Sequence, residues 1–402
     1  MSEPDGRRRA VRSGDASSPA VEQTPMATGG HVWRIRSAAV VRQLLRERHR
    51  TTQAGFTAEA IPKGYLKHHP ILISDGPLHD EQRTKVGRFF APKVVASRFT
   101  GLMQECADRL LADAAGRPVV LDELALLYTV EVTAAAVGLT NSSVPKMARR
   151  LESFFDQPPF DITRSDLGRT RRDWMQAARK GLVPVVRFYL ADVRPAIRAR
   201  RRQPQRDVIS HLIAEGYTDA DILVECVTYG TAGMVTTREF IAMAAWHLLS
   251  DRVLLERYLA AEQPERLSLL NEIIRLEPVV GHLYRRVQEP VSFDHDATVH
   301  TAAPGDLLDL DVRAANADPA TVGECPFDLR PGRTLPPGVN EAVLSFGDGA
   351  HRCPGQPLAI LESDVLLHRL LSHDVVMSRE PRIEWDDLIA GYALRGFQLR
   401  VT

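Results

Sequence analysis

Residues 346–355 read FGDGAHRCPG, and a helical pattern opens directly after them at Gln356. Gly347 and Gly349 permit the positive φ values of a tight backbone bulge. Gly355 and Pro357 mark a helix start, so the first-turn amides point back toward Cys353 and favour its anionic form. That is an environment for a thiolate that ligates a metal. A lone cysteine before a helix is more often an ordinary buried residue. Six residues at set offsets, Phe346, Gly347, Gly349, His351, Cys353 and Gly355, are another matter. With average residue usage, such a match arises by chance in a chain this long about once in a million.

With 402 residues and 44% apolar content, the chain can bury one large core or two ordinary ones. Basic and acidic residues balance at 51 each, so no global field draws nucleic acid or an anionic membrane. Cys106, Cys226, Cys325 and Cys353 lie far apart, without a C-x-x-C pair or zinc-ligand spacing, and fit a reducing cytosol. Residues 1–30 hold no apolar segment of signal-peptide length, and no run approaches the roughly 18 residues of a membrane span. A soluble, cytoplasmic protein is expected. Residues 1–30 are rich in Ser, Pro, Gly and charge, with Arg7, Arg8, Arg9 and Arg12 clustered, and read as a disordered polar tail rather than a nucleic-acid arm. No Walker, dinucleotide, flavin or iron–sulfur signature is present.

Order is expected from near His31, where VWRI alternates like a strand and SAAVVRQLLRE carries a helical period. Residues 51–74 read as a long loop. Asp75 and Pro77 supply helix-start chemistry, and His79 and Arg83 at i and i+4 offer two cationic donors on one face. Helices are expected over 94–115, 121–138, 182–200 and 264–277, with weak periodicity and clustered aromatics over 140–180. The basic run ending the 182–200 helix reads as a solvated helix end. Thr218 and Asp221 open a helix of more than 30 residues. Residues 304–319 alternate and then turn, residues 356–372 form the helix after the cysteine, and ALRGFQLRV reads as a hairpin.

The pattern F-G-x-G-x-H-x-C-x-G, met at every position, resembles the haem-binding loop of the cytochrome P450 family. That resemblance implies a mainly α fold with a small β-rich part, as one large domain over residues 31–402. It implies haem b (heme b, iron protoporphyrin IX) with Cys353 as axial iron ligand, and it places His351, His79, Arg83 and Arg285 on the propionates, with Arg286 a weaker candidate. Ala232, Gly233, Thr236 and Thr237 resemble the A-G-x-[D/E]-T-[T/S] signature of the helix over the haem. Close helix packing with a bonded threonine accounts for these four alone about as well. Thr236 would face the oxygen site.

Val235 departs from the pattern, because the usual carboxylate beside the threonine is replaced by an aliphatic side chain. Glu239, one turn on, is the expected substitute as proton relay. Glu272 and Arg275 resemble the family's buried structural pair, and the arginine that usually completes it is expected to be absent, since Pro326 stands beside Phe327. The short lead-in lacks a first helix, which would leave one pocket edge open, and residues 140–180 resemble a lid over the substrate entrance. Cys325 is a bystander.

The function implied is a monooxygenase inserting one oxygen atom of O2 into a small or medium apolar molecule, with secondary metabolism as its setting by analogy. The chain carries no electron source, so a separate ferredoxin or flavodoxin with its reductase is implied, docking on the cysteine side near Arg88 and Arg352. The alternatives are a haem-binding protein without normal turnover, and a peroxide-driven or oxidative-coupling variant.

Overall fold

The computed structural model describes residues 18–27, 29–55, 67–156, 158, 160–164, 167–386 and 389–401. Its centre is the helical path Asp219–Ser250, which the sequence presents as one long helix and which contains a π segment, Gly230–Val235. Thr218 accepts from the Asp221 amide while Asp221 reaches back to the Thr218 amide, the reciprocal cap its spacing predicts. The π turn has local causes. A Cβ on Gly230 would sit 2.8 Å from Leu151 Cδ2, and one on Gly233 3.2 Å from Thr133 Cγ2. Glycine at both positions lets neighbouring helices close on the backbone. The Met234 carbonyl is taken by Thr129 Oγ1 at 2.8 Å, so the wider turn leaves it satisfied.

Helices Pro92–Ala114, Leu121–Val137 and Gln263–Leu276 surround this path, and the helix that follows the cysteine, Gln356–Leu371, packs on the first and last of them. They share one apolar core running from Phe99 and Met103 through Phe240 and Trp246 to Leu366 and Leu370. A five-stranded sheet stands to one side, in the order Val21–Pro25, His31–Ile35, Leu307–Asp311, His282–Val287, Thr51–Ala54. Its one parallel pair sets Val32 beside Leu307. The helix Ala38–Arg46 buries Val40, Val41, Leu44 and Leu45 in a second core with Leu308 and Leu310.

Several expectations are corrected. The strand Val21–Pro25 pairs antiparallel with His31–Ile35, so order begins ahead of His31 and within the stretch expected to be a tail. Residues 1–17, with their arginine cluster and the question of a first helix, lie outside the described residues. The loop expected from residue 51 opens with the strand Thr51–Ala54, which aligns Gln53 with Arg285. ALRGFQLRV is not a hairpin: Gly391–Arg395 pairs with Arg382–Asp386, while Gln398–Val401 joins Val375–Arg379 and Val119–Val120. The helix expected over 182–200 begins at Arg171 and runs through a π turn, Tyr189–Val193, to Arg202.

Candidate active site

The cysteine loop is held from beneath by the helix Ala38–Arg46. Arg42 and Arg46 each reach Asp348 Oδ2 at 3.0 Å, and Asp348 Oδ1 accepts the Gly349 amide at 2.7 Å. Gly347 and Gly349 adopt φ of 68° and 67°, the bulge their positions predict. At Gly349 no other residue fits, because a Cβ would overlap the Leu45 carbonyl oxygen. The Cys353 amide closes the loop on the Phe346 carbonyl at 2.8 Å.

Cys353 is exposed by surface area, although protein surrounds it densely enough for burial to push its thiol upward. Both describe a sulfur open to solvent on one side and enclosed by protein on the others. The amides of Gly355 and Gln356 and the charges of Arg83 and Arg352 oppose the effect of burial without outweighing it. The expected preference for the anion is therefore present as donors but insufficient alone. A bound metal cation would supply the remaining bias.

Groups from four separate elements gather beside this loop. The His79 and His351 rings stack with centroids 4.0 Å apart. His351 Nε2 lies 3.1 Å from Asp75 Oδ1, so Asp75, read as helix-start chemistry, gives its side chain to the histidine and the Gln53 amide and leaves its own helix uncapped. Burial works against the Asp75 carboxylate, but His351 and the Gln53 amide outweigh it and hold its pKa below the ordinary value. Arg285 is buried, hydrogen-bonded to Gln53 Oε1 and the Tyr284 carbonyl, and burial brings its pKa down to about 10. Arg286 instead turns to the Gly305 carbonyl at 3.3 Å. Arg83 donates to the Arg352 carbonyl, and burial lowers its pKa while the nearby Cys353 opposes that.

These groups pass a test of fit for a flat cofactor carrying a metal and two carboxylates. His79 is 1% exposed and its Nε2 has no partner, an unmet polar atom at a place crowded with positive charge. Two arginines and two imidazoles suit paired carboxylates, and the sulfur suits a soft metal.

Ala232 is exposed on the π segment and Thr236 is half-buried beside it, its Oγ1 donating to the Ala232 carbonyl. Thr237 points inward, its hydroxyl donating to the Gly233 carbonyl at 2.7 Å, and burial keeps the nearby Glu362 carboxyl well above the ordinary range. Val235 is buried at 2% exposure. Glu239 does not take up the role expected of it. Its oxygens accept from Arg238 Nη2 at 2.6 Å, the Leu394 amide at 2.7 Å and Arg395 Nη1 at 2.8 Å, so it is spent on joining the helix to the C-terminal sheet.

The expectation that the Glu272–Arg275 pair lacks its third member is also overturned. Arg275 holds both Glu272 oxygens at 2.7 and 2.8 Å, and Arg333 Nε adds a contact to Oε1 at 2.8 Å. The partner stands seven residues beyond Pro326, and a fold of the chain brings it back. Of the two proposed docking arginines, Arg352 is exposed and bonds Gln356, while Arg88 is engaged with His211 at 2.9 Å.

A cysteine loop with two amides directed at its sulfur, beside a cluster of arginines and histidines, is the donor set of a haem-thiolate protein. The family model "Cytochrome P450" matches residues 268–380, and members of that family bind haem b and are generally monooxygenases. The chain is 26% identical over 312 residues to cytochrome P450(MEG) of Priestia megaterium, covering 75% of this chain and 70% of that protein. In structure it is similar to a mutant of P450 EryK in complex with erythromycin B, with TM-score 0.76 and 21% identity over 96% of this chain and 93% of that one. It is likewise similar to the putative thioether synthase SgvP of griseoviridin tailoring, with TM-score 0.75 and 19% identity over 98% and 95%. At those identities the likeness speaks for the fold. No helix among the described residues is long and apolar enough to cross a membrane.

Proposed function

We propose that this protein is a haem-thiolate monooxygenase that inserts one oxygen atom of O2 into a small or medium apolar molecule of secondary metabolism. The observation that carries this reading is the sulfur of Cys353, open to solvent on one side, with the Gly355 and Gln356 amides directed at it. Bound haem supplies dioxygen binding and its reductive cleavage. In this reading Cys353 ligates the iron, His351, His79, Arg83 and Arg285 hold the propionates, and Phe346, Gly347 and Gly355 shape the loop. Ala232 keeps the opposite wall low enough for a flat cofactor, Gly233 lets its helix close on Thr133, and Thr236 stands beside Ala232 with its hydroxyl on the Ala232 carbonyl. The likeness to a protein solved in complex with erythromycin B and to one involved in the tailoring step of griseoviridin supports the setting in secondary metabolism. Electrons come from a ferredoxin or flavodoxin with its reductase, docking where Arg352 is exposed. The test is the reduced, carbon-monoxide-treated protein: a red-displaced Soret band, lost in Cys353→Ala, is expected, and its absence from the wild type overturns the reading.

A second reading has its own observation. Val235 cannot pass a proton, and Glu239 is fully engaged elsewhere. That arrangement favours a peroxide-driven route, in which the oxidant brings its own protons. Single-turnover assays with a surrogate ferredoxin, with and without hydrogen peroxide, separate the two.

A further inference from the structure

The helix running from Arg171 through the π turn to Arg202 has an outward face that its neighbours leave uncovered. Eleven large apolar side chains are exposed among the described residues, and six of them lie on this helix. Met175 is 66% exposed, Leu182 64%, Leu190 53% and Val186 46%. Their spacing of seven, then four and four residues puts them in one stripe. Scattered exposed apolar residues are ordinary, but a stripe of this kind marks a contact surface.

The charge on this helix is equally one-sided. Residues 171–202 contain ten basic and two acidic side chains. Asp173 caps the helix and lies close enough to Arg172 to offset its charge, and Asp192 is buried against Arg150. Lys180, Arg200 and Arg201 are paired with Asp156, Asp207 and Asp219. Arg171, Arg179, Arg187, Arg194 and Arg198 are exposed and form no ion pair among the described residues. In a chain of zero formal net charge, such a concentration is a local design.

We propose that this face docks a small acidic helical protein domain that brings substrate to the protein, an inference that rests on the monooxygenase reading above. Charge complementarity sets the sign of the partner, and the apolar stripe between the arginines supplies the buried centre of the contact. Arg179 sits within the stripe, between Met175 and Leu182, so seating this face in lipid would carry a guanidinium into the acyl region. Two copies of the chain meeting here would oppose arginine to arginine. The electron donor belongs elsewhere. The helix Arg171–Phe188 packs on Val144–Glu152, which packs on the π segment, whereas the helix after Cys353 packs on Pro92–Ala114 and Gln263–Leu276. The partner therefore meets the substrate side.

The test titrates the full-length haem protein into 15N-labelled acyl carrier protein, an acidic helical domain, at low and moderate salt. The expected result is saturable shifts confined to acidic helices of the carrier, at least tenfold weaker at 300 than at 50 mM salt. R179E/R187E and L182S/V186S should each weaken binding at least tenfold while keeping the wild-type carbon-monoxide spectrum and thermal midpoint. No saturable binding, or binding indifferent to both variants, overturns the proposal. So does co-sedimentation with phosphatidylglycerol–phosphatidylcholine vesicles that the variants abolish, or a dimer in sedimentation velocity that they dissociate. The carbon-monoxide spectrum is recorded in every arm, so loss of the docking site is distinguished from failure of the haem-thiolate reading.

Discussion

His79 and His351 stack face to face with centroids 4.0 Å apart and planes inclined at 26°, although 272 residues separate them in sequence. The His351 ring disfavours charge on His79, and Arg83 adds to the effect. Burial first, then His351 and Arg83, bring the His79 pKa from 6.5 down to about 4. The folded haem-free protein therefore holds His79 neutral where the unfolded chain would protonate it. The associated stability is present above pH 6.5 and is lost as pH falls toward 4. Asp75, whose pKa is also lowered, acts in the same direction. Urea denaturation of the haem-free protein between pH 7 and 4 should show this slope, and His79→Phe should flatten it.

Arg333 completes the buried Glu272–Arg275 pair, with side chains 5%, 4% and 0% exposed. Removing Arg333 leaves Glu272 still held by Arg275 but takes away the contact to Oε1 and the bonds to the Val322, Cys325 and Asp328 carbonyls, each worth about 1 kcal/mol. Arg333→Ala should therefore lower haem content and the denaturation midpoint, by less than Arg275→Ala. If Arg333→Ala incorporates haem normally while Arg275→Ala does not, the third member is dispensable.

Glu239→Gln tests a structural role against a catalytic one. Losing the charge that holds Arg238 and Arg395 should lower stability by about 3 kcal/mol or more. Product yield and peroxide leakage per electron should be unchanged in the folded fraction. A rise in leakage at unchanged stability would restore Glu239 as a relay.

Pro354 contributes no N–H beside a sulfur that already receives the Gly355 and Gln356 amides. Pro354→Leu adds a donor, weakens electron donation from the sulfur and should raise the haem reduction potential. Spectroelectrochemical titration checks this, and an unchanged or lower potential contradicts it.

The local elements were legible because their causes are local. The cap at Thr218 and Asp221, the bulge at Gly347 and Gly349, and the helix after Cys353 are each set by residues within a few positions. The strand Val21–Pro25 was missed because a short polar strand has no periodic signal and exists through pairing with His31–Ile35. The long helix from Arg171 was read short because Pro184, Pro195 and a π turn interrupt its pattern while neighbouring helices support it.

By itself the sequence determined the haem-thiolate loop and with it the family resemblance, since a ligand loop depends on glycines and a cysteine at offsets that do not change with folding. Only the tertiary structure decided that Arg333 joins Glu272, that Asp75 serves His351 instead of its own helix, and that Glu239 is committed to Arg395. The reason is physical. A buried charge takes the partner that the fold brings within hydrogen-bond reach, and separation along the chain carries no information about which partner that is.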